Sequence, residues 1–202
     1  MKIYLIRHGQ TDWNIAGMIQ GSHDIPLNET GRIQARKLAE AMDQRPITKI
    51  FSSPLIRAAE TAQMIAKRQK VELCSIKPLV EVEFGKWEGL TWAEIENQFP
   101  EELKRWTMNP QEVSPPGGET LTSIRNRCVE AWKTIREITG GNEDVAIVSH
   151  GATLGHFYSF LMSNKPGEDH KIVENASITT ISYDPLTEEF HLLERNESSH
   201  LK

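Results

Sequence analysis

Two short apolar runs in distant parts of the chain end in closely similar ways. The run at residues 3–6 is followed by Arg-His-Gly at 7–9, and the run at 145–148 is followed by Ser-His-Gly at 149–151. Four consecutive apolar residues before a polar turn are typical of a strand that is buried on both faces of a parallel sheet. Because ligands bind where the carboxyl ends of such strands meet, we expect both histidines at one ligand-binding edge. The alternative is that each imidazole has a structural role.

Length and charge narrow the class of protein. A chain of 202 residues is long enough for a sizeable core, and we expect a single domain with an inserted lid. The net charge of −5 argues against a general nucleic-acid binder, and the absence of a long apolar run argues against a membrane span. The first residues do not resemble a signal peptide, and Cys74 and Cys128 lack metal-type spacing, so we expect reduced thiols in a cytoplasmic protein.

Strand and helix patterns alternate along most of the chain. This alternation predicts an α/β fold with a mostly parallel central sheet, and the alternating residues at 177–183 and 189–193 predict an antiparallel hairpin at one sheet edge. Further strands are predicted at 47–51 and 71–76. One helix is predicted to end at Pro46, with a buried stripe formed by Ile33, Leu38, Ala41 and Met42. A long helix is predicted to end at Thr139, with a buried stripe formed by Ile124, Cys128, Ala131, Ile135 and Ile138. Two further helices are predicted at 55–67 and 152–162.

The segment from about 86 to 116 differs in character from its surroundings. It is rich in tryptophan and proline and predicts two short helices, near 91–98 and 100–107. We interpret it as a helical lid inserted over the site. Its aromatic residues are expected to form the lid's own small core, although Trp92, Trp106 and Met108 could also provide an apolar wall for a substrate.

The side chains predicted at the sheet edge suit a phosphate. Arg7 offers a planar fork of donors, and Arg57 falls in the first turn of a helix, where anions are favoured. The alternative for Arg57 is a solvated helix residue that pairs with Glu60. Two arginines and the two imidazoles would form a compact cationic pocket for a dianion. Glu81 lies among apolar residues and is the candidate general acid, although a solvated loop carboxylate is also consistent with its position.

Other chemistries are less well supported. No His-Glu-x-x-His pattern is present, and an arginine beside His8 would repel a cation, so no metal site is predicted. No Gly-x-x-x-x-Gly-Lys loop occurs, which argues against a kinase or an ATPase. A histidine beside a bound phosphoryl group can instead attack phosphorus and form a phosphohistidine, which divides hydrolysis into two easier steps.

An ordered set of motifs over nearly the whole chain resembles the histidine phosphatase superfamily, the phosphoglycerate-mutase-like clan. The matching segments are Arg7-His8-Gly9-Gln10-Thr11, Asn14, Gln20-Gly21, Pro26-Leu27, Thr30-Gly31, Ser52 to Ala62, Glu81 to Gly89, Gly117-Gly118-Glu119 and Ser149-His150-Gly151.

The resemblance implies a role for each matched residue. His8 would be the phosphorylated nucleophile and Glu81 the proton donor, while Arg7, Arg57 and His150 would hold the phosphate. Substrate binding would also involve the neutral groups and glycines of the matched motifs, namely Asn14, Gln20, Gly21 and Gly151. The implied fold is a three-layer α/β/α sandwich. No cofactor and no metal are implied, the substrate would be a small phosphomonoester, and the product would be inorganic phosphate.

The branch of the family is predicted from the residues after the acid. Phosphoglycerate mutases carry Glu-Arg-His-Tyr-Gly there, whereas this chain has Glu-Val-Glu-Phe-Gly at 81–85. The change removes a cation and a hydroxyl and adds an anion at Glu83, so a substrate carboxylate would be poorly held. The chain looks more like the small bacterial phosphatases, including broad-specificity and α-ribazole phosphatases. A mutase and a non-catalytic phosphate-binding module remain alternatives, and a homodimer stays open.

Overall fold

A computed structural model describes residues 1–162 and 173–202. Six strands and seven α-helices are described, joined by loops and single 3₁₀ turns. The strands are β1 Lys2–Arg7, β2 Lys49–Ser52, β3 Glu72–Ser75, β4 Val145–Ser149, β5 Ile178–Asp184 and β6 Glu189–Glu197. The helices are α1 Asp12–Ile15, α2 Glu29–Ala41, α3 Ile56–Gln69, α4 Trp92–Gln98, α5 Pro100–Met108, α6 Leu121–Thr139 and α7 Gly151–Leu161.

The strands form one mixed sheet in the order β3-β2-β4-β1-β5-β6. The four strands β3, β2, β4 and β1 are parallel to one another, whereas β5 is antiparallel to both β1 and β6. The predicted mostly parallel sheet with an antiparallel edge is therefore confirmed. The register pairs Arg7 with Ser149, so that the residues after β1 and after β4 begin side by side.

Each central strand buries side chains on both of its faces, because helices cover both sides of the sheet. In β1, Ile3 and Leu5 pack toward α6 and α7, while Tyr4 and Ile6 pack toward α2 and α3. Alternate residues thus contribute to two separate cores, which explains the uninterrupted apolar run in the sequence. The predicted α/β/α layering follows from this arrangement.

Two burial positions predicted from helical spacing are wrong, and the alternative considered for Arg57 is not observed. Ile33 in α2 and Ile138 in α6 are exposed by 43% and 44%, because each lies at the margin of its apolar stripe, away from the sheet. Glu60 does not pair with Arg57. Its carboxylate instead accepts a 2.8 Å hydrogen bond from Nε of Arg32, which lies on the neighbouring helix α2.

The segment predicted as an insertion contains α4 and α5, close to their predicted bounds. Three tryptophans pack against one another there: Trp92 stacks on Trp106 at 6.1 Å between ring centroids, and the buried Trp87 meets Trp106 edge-on at 5.5 Å. The aromatic residues therefore pack on one another around the buried Trp87, as expected, with Trp92 46% exposed at the edge of this tryptophan core. Of the helices that the structure describes, none has the length and apolar character needed to cross a membrane.

Candidate active site

The carboxyl ends of three neighbouring strands bring the two histidines together. The backbone amide of His8, after β1, donates to the carbonyl of Ser149 at 3.0 Å, and the amide of Ser53, after β2, donates to Val148 at 3.1 Å. The His8 and His150 ring centroids lie 5.2 Å apart. The strand-end prediction from the sequence is therefore correct in its geometry.

His8 is 2% exposed, and its hydrogen bonding determines which ring nitrogen can react. Its Nδ1 lies 2.6 Å from the carbonyl oxygen of Gly9. Because a carbonyl only accepts, Nδ1 carries the proton, and the lone pair is left on Nε2. The backbone of Gly9 lies close against α2, since a Cβ on Gly9 would lie 2.5 Å from the carbonyl oxygen of Gly31.

His150 is fully buried and has the opposite proton arrangement. Nε of Arg57 lies 3.2 Å from Nδ1 of His150, and because a guanidinium only donates, this nitrogen is the acceptor. The proton of His150 is therefore on Nε2, which lies 2.8 Å from the hydroxyl oxygen of Ser53. The site thus presents one nucleophilic nitrogen, on His8, and one N–H donor, on His150.

The two arginines are held in different ways. Arg57 lies in the first turn of α3, is fully buried, and donates to the carbonyls of His23 at 2.7 Å and Gly21 at 3.0 Å. Arg7 donates through Nη1 to the carbonyl of Val173 at 2.6 Å, whereas its buried Nε has no partner among the described residues. An unpartnered buried donor on a guanidinium, next to the histidines, is suited to an anionic ligand.

The electrostatic surroundings keep both imidazoles neutral. Burial, with the charges of Arg7 and Arg57, holds the pKa of His8 well below its usual value. Burial also holds the pKa of His150 well below its usual value, assisted by His8 and the same arginines. Burial lowers the pKa of each arginine as well, and the carboxylate of Glu81 opposes that change.

Glu81 is anchored mainly through one of its two carboxylate oxygens. Oε1 accepts from the backbone amides of Val82 and Thr153, both at 2.9 Å, and lies 3.0 Å from the Thr153 hydroxyl. Oε2 receives only a 3.4 Å contact from the amide of Ala152. The amides of Ala152 and Thr153 belong to the first turn of α7, where free N–H groups favour an anion. Oε2 is therefore the oxygen that is more available for proton exchange.

A largely buried ion pair supports the segment that anchors Glu81. Arg127 forms two hydrogen bonds with Glu119, at 2.8 and 3.0 Å, and donates to the carbonyls of Pro78 and Val80. Its Nη2 also lies 3.4 Å from the Thr153 hydroxyl. Although burial alone would raise it, the Arg127 guanidinium holds the pKa of Glu119 below its usual value. The pair therefore fixes the loop before Glu81 to α6.

The four residues predicted for substrate binding have different surroundings. Oδ1 of Asn14 accepts from the amide of Thr11, while Gln20 is 8% exposed and its Oε1 has no partner among the described residues. Gly21 has a φ of +49° and holds Arg57 through its carbonyl. Gly151 is buried and begins α7 directly after His150.

The sequence did not reveal several supporting residues. The Ser53 hydroxyl contacts His150, and Oγ1 of Thr61 accepts from the amide of Gly9 at 3.1 Å. The side-chain amide of Asn175 donates to the carbonyl of His8 at 3.0 Å. Ser53 and Thr61 lie within the matched motif Ser52 to Ala62, which could have indicated them. Asn175 lies more than 20 residues after the end of β4, and no motif in the sequence marks it. Within residues 1–162 and 173–202, no cluster of three metal-ligating side chains could hold a metal ion.

Comparison with known proteins identifies the family. The sequence model of the histidine phosphatase superfamily (branch 1) matches residues 3–196. Phosphoserine phosphatase 1 of Hydrogenobacter thermophilus is 33% identical over 162 residues, covering 80% of this chain and 76% of that protein. A probable phosphoglycerate mutase GpmB of Proteus mirabilis is 30% identical over 184 residues, covering 91% and 85%.

A solved structure agrees with these sequence relatives. A phosphoserine phosphatase mutant from Entamoeba histolytica, determined in complex with phosphoserine, superimposes with a TM-score of 0.85 at 31% identity, covering 100% of this chain and 99% of that chain. The chain described here belongs to the histidine phosphatase superfamily. The resemblance inferred from its motifs is thus confirmed.

Proposed function

We propose that the protein hydrolyses small phosphomonoesters through a phosphohistidine intermediate on Nε2 of His8. The observation that carries this proposal is the hydrogen bond from Nδ1 of His8 to the Gly9 carbonyl, which leaves Nε2 as a neutral nucleophile beside two arginines and an N–H donor. Small phosphate esters are also the substrates named for related proteins. Phosphoserine is accordingly one candidate substrate.

The first step transfers the phosphoryl group to the enzyme. Arg7 and Arg57 would bind the non-bridging phosphate oxygens and stabilise their charge, and Nε2–H of His150 would join them by exchanging its contact with the Ser53 hydroxyl for the phosphate. As the Nε2 lone pair of His8 forms a bond to phosphorus, the bond between phosphorus and the ester oxygen breaks. Protonated Glu81 gives a proton from Oε2 to that oxygen, so the product leaves as a neutral alcohol.

The second step returns the enzyme to its starting state. A water molecule attacks the phosphorus of phospho-His8 while Glu81 accepts a proton from it. The phosphorus–nitrogen bond breaks, the electron pair returns to Nε2, and inorganic phosphate is released. We propose Asn14, Gln20, Gly21 and Gly151 as further contributors to substrate binding, since they surround Arg57, His150 and the loop after His8.

Mutase activity is the second candidate, because one relative is called a probable phosphoglycerate mutase. Glu83, two residues after the acid, is exposed, and its negative charge would repel the carboxylate of a phosphoglycerate. Hydrolysis is therefore favoured. A mutase must protect its phosphoenzyme from water, so rapid decay of phospho-His8 without a second substrate would exclude it.

The proposal also covers the domain organisation, the partners, the assembly and the location of the protein. Residues 1–202 would form one domain in which the segment from about 86 to 116 acts as a lid. The substrate partner would be a small molecule rather than a nucleic acid, and a homodimer is the assembly that we consider. A cytoplasmic location is supported by Cys74 and Cys128, which are both free thiols.

The direct test is hydrolysis of p-nitrophenyl phosphate at mildly acidic pH with and without EDTA. The wild type should turn over in both conditions, and His8→Ala should lose at least about 10⁴-fold in kcat/KM because the nucleophile is absent. His191→Ala is the matched control, since His191 is an exposed histidine on β6. Full activity in His8→Ala, or loss of wild-type activity in EDTA, would contradict the proposal.

A further inference from the structure

A large open cleft lies beside the proposed active site, with a volume of about 700 Å³. Its walls come from α5 and the loop after it, from the start of α6, and from the outer face of α7. Most of the lining is apolar, and the larger apolar side chains are those of Val82, Phe84, Trp106, Met108, Ile124 and Phe160. The volume lies in the range that is typical of pockets for whole small-molecule ligands.

The cleft borders the two segments that carry and anchor the proposed general acid. Val82 lines it and directly follows Glu81, and Ala152 lines it and donates its amide to Oε2 of Glu81. The oxygen that Glu81 protonates is the ester oxygen, to which the alcohol part of the substrate is attached. The alcohol part must therefore extend from the side of the site on which the cleft begins.

The charged side chains of the cleft offer no free anion to the ammonium group of a small zwitterion such as serine. Arg125 and His156 line the cleft together with Glu119, and neither of them carries a negative charge. Glu119 lines the cleft, but both of its carboxylate oxygens are bound to Arg127, so it is already neutralised. An ammonium group placed there would have to compete with a guanidinium for this carboxylate. Apolar surface, by contrast, is available on every wall of the cleft, so a ligand that buries apolar area there gains binding free energy.

We propose that this cleft binds the alcohol part of the substrate, and that the preferred substrates are monoesters of bulky apolar or aromatic alcohols rather than phosphoserine. This inference rests on the proposed function, since it assigns a substrate class to the same site. Of the residues predicted as an apolar wall, Trp106 and Met108 line the cleft, whereas Trp92 stacks on Trp106 in the tryptophan core.

The test uses two non-hydrolysable ligands with the same anionic group, ethylphosphonate and 3-phenylpropylphosphonate, with binding measured by calorimetry. We expect 3-phenylpropylphosphonate to bind at least about 30-fold more tightly, because the phenyl ring and the additional methylene would be buried in the cleft. The corresponding phosphate esters have alkoxide leaving groups of similar basicity, so their kcat/KM values should show the same preference.

Two substitutions place a charge on the cleft wall at sites that tolerate it. Met108 is 76% exposed, and Leu121 is the first residue of α6, where an acidic residue is compatible with the helix. Met108→Asp and Leu121→Asp should reduce the 30-fold discrimination to less than about fivefold. Leu186→Asp is the matched control, because Leu186 is 92% exposed in the β5–β6 turn and should keep the discrimination.

The outcomes separate this inference from the function on which it rests. If the protein forms phosphohistidine but binds the two phosphonates equally, the cleft assignment alone is overturned. The same conclusion follows if kcat/KM is at least about 30-fold higher for phosphoserine than for 3-phenylpropyl phosphate. Failure to form phosphohistidine with any ester would overturn the proposed function, and with it the claim that the ligand of the cleft is a substrate.

Discussion

Around His8 the polar groups are buried side chains from strand ends and from α3, whereas around Glu81 the carboxylate is held chiefly by backbone amides at the start of α7. The first region fixes charge and proton positions through guanidinium and imidazole groups. The second fixes one oxygen of a carboxylate and leaves the other more available. Substitutions in the first region should therefore affect all substrates, and substitutions in the second should affect mainly substrates that need a proton.

The largest effect is expected in the phosphate-binding region. Arg57→Lys keeps the charge but loses the planar fork that contacts Gly21, His23 and His150, so kcat/KM should fall about 10³-fold for every ester. Steady-state kinetics on p-nitrophenyl phosphate and on an alkyl phosphate provide the measurement. Arg32→Lys, on the pair with Glu60, is the control and should change the rate by less than about twofold. A loss confined to the alkyl ester would contradict the distinction between the regions.

The next effect is expected for the acid itself. Glu81→Gln removes the transferable proton, so hydrolysis of an alkyl phosphate should slow by about 10²-fold, and hydrolysis of p-nitrophenyl phosphate by much less, because nitrophenolate leaves without protonation. Glu83→Gln, two residues away and exposed, is the matched control. Equal losses on both esters would remove Glu81 from the role of acid.

A smaller effect with the same pattern is expected for the anchor of the acid. Thr153→Val keeps the backbone amide that binds Oε1 but removes the hydroxyl, so the alkyl ester should slow by about tenfold and the nitrophenyl ester hardly at all. Thr153→Ser should restore the rate on the alkyl ester. If Thr153→Val lowered both rates equally, the hydroxyl would be acting on folding rather than on the position of Glu81.

The smallest effect concerns stability and tests the buried histidines. Because the folded-state pKa values of His8 and His150 lie below the usual 6.5, the unfolded chain binds protons first as the pH falls. Stability associated with each neutral histidine is complete above pH 6.5 and is lost as the pH falls from there toward the folded pKa, by roughly 1 kcal/mol one pH unit lower. Urea unfolding at pH 7.5 and 5.5 should therefore show a smaller loss in His8→Gln than in the wild type. An identical loss in both proteins would contradict buried neutral imidazoles.

The two regions also differ in how far the sequence predicted them. The strand ends were predictable, because an apolar run followed by a histidine and a glycine specifies both the strand and the place where it stops. Arg57 was predictable from its position in the first turn of α3. The failures at Ile33 and Ile138 arose because helical spacing places a residue near a face without fixing how far the sheet extends over it.

The support of Glu81 was not predictable in the same way. Backbone amides leave no mark in the sequence, and the pair of Arg127 with Glu119 joins residues eight apart on a loop and a helix. Some contacts of the His8 region were equally unpredictable, since the contact of Asn175 with His8 joins residues 167 apart. Such contacts depend on tertiary packing, so only the motif comparison, and not the local pattern, could have indicated Ser53 and Thr61 beforehand.

The position of the phosphoryl group on the trapped enzyme tests the mechanism most directly. Enzyme mixed with an aryl phosphate, quenched within milliseconds in alkali and digested, should yield one phosphorylated peptide, with phosphorus on Nε2 of His8, as read by mass spectrometry and phosphorus NMR. A phosphoryl group on His150 or on Nδ1 of His8, or full turnover with no phosphorylated histidine, would contradict it.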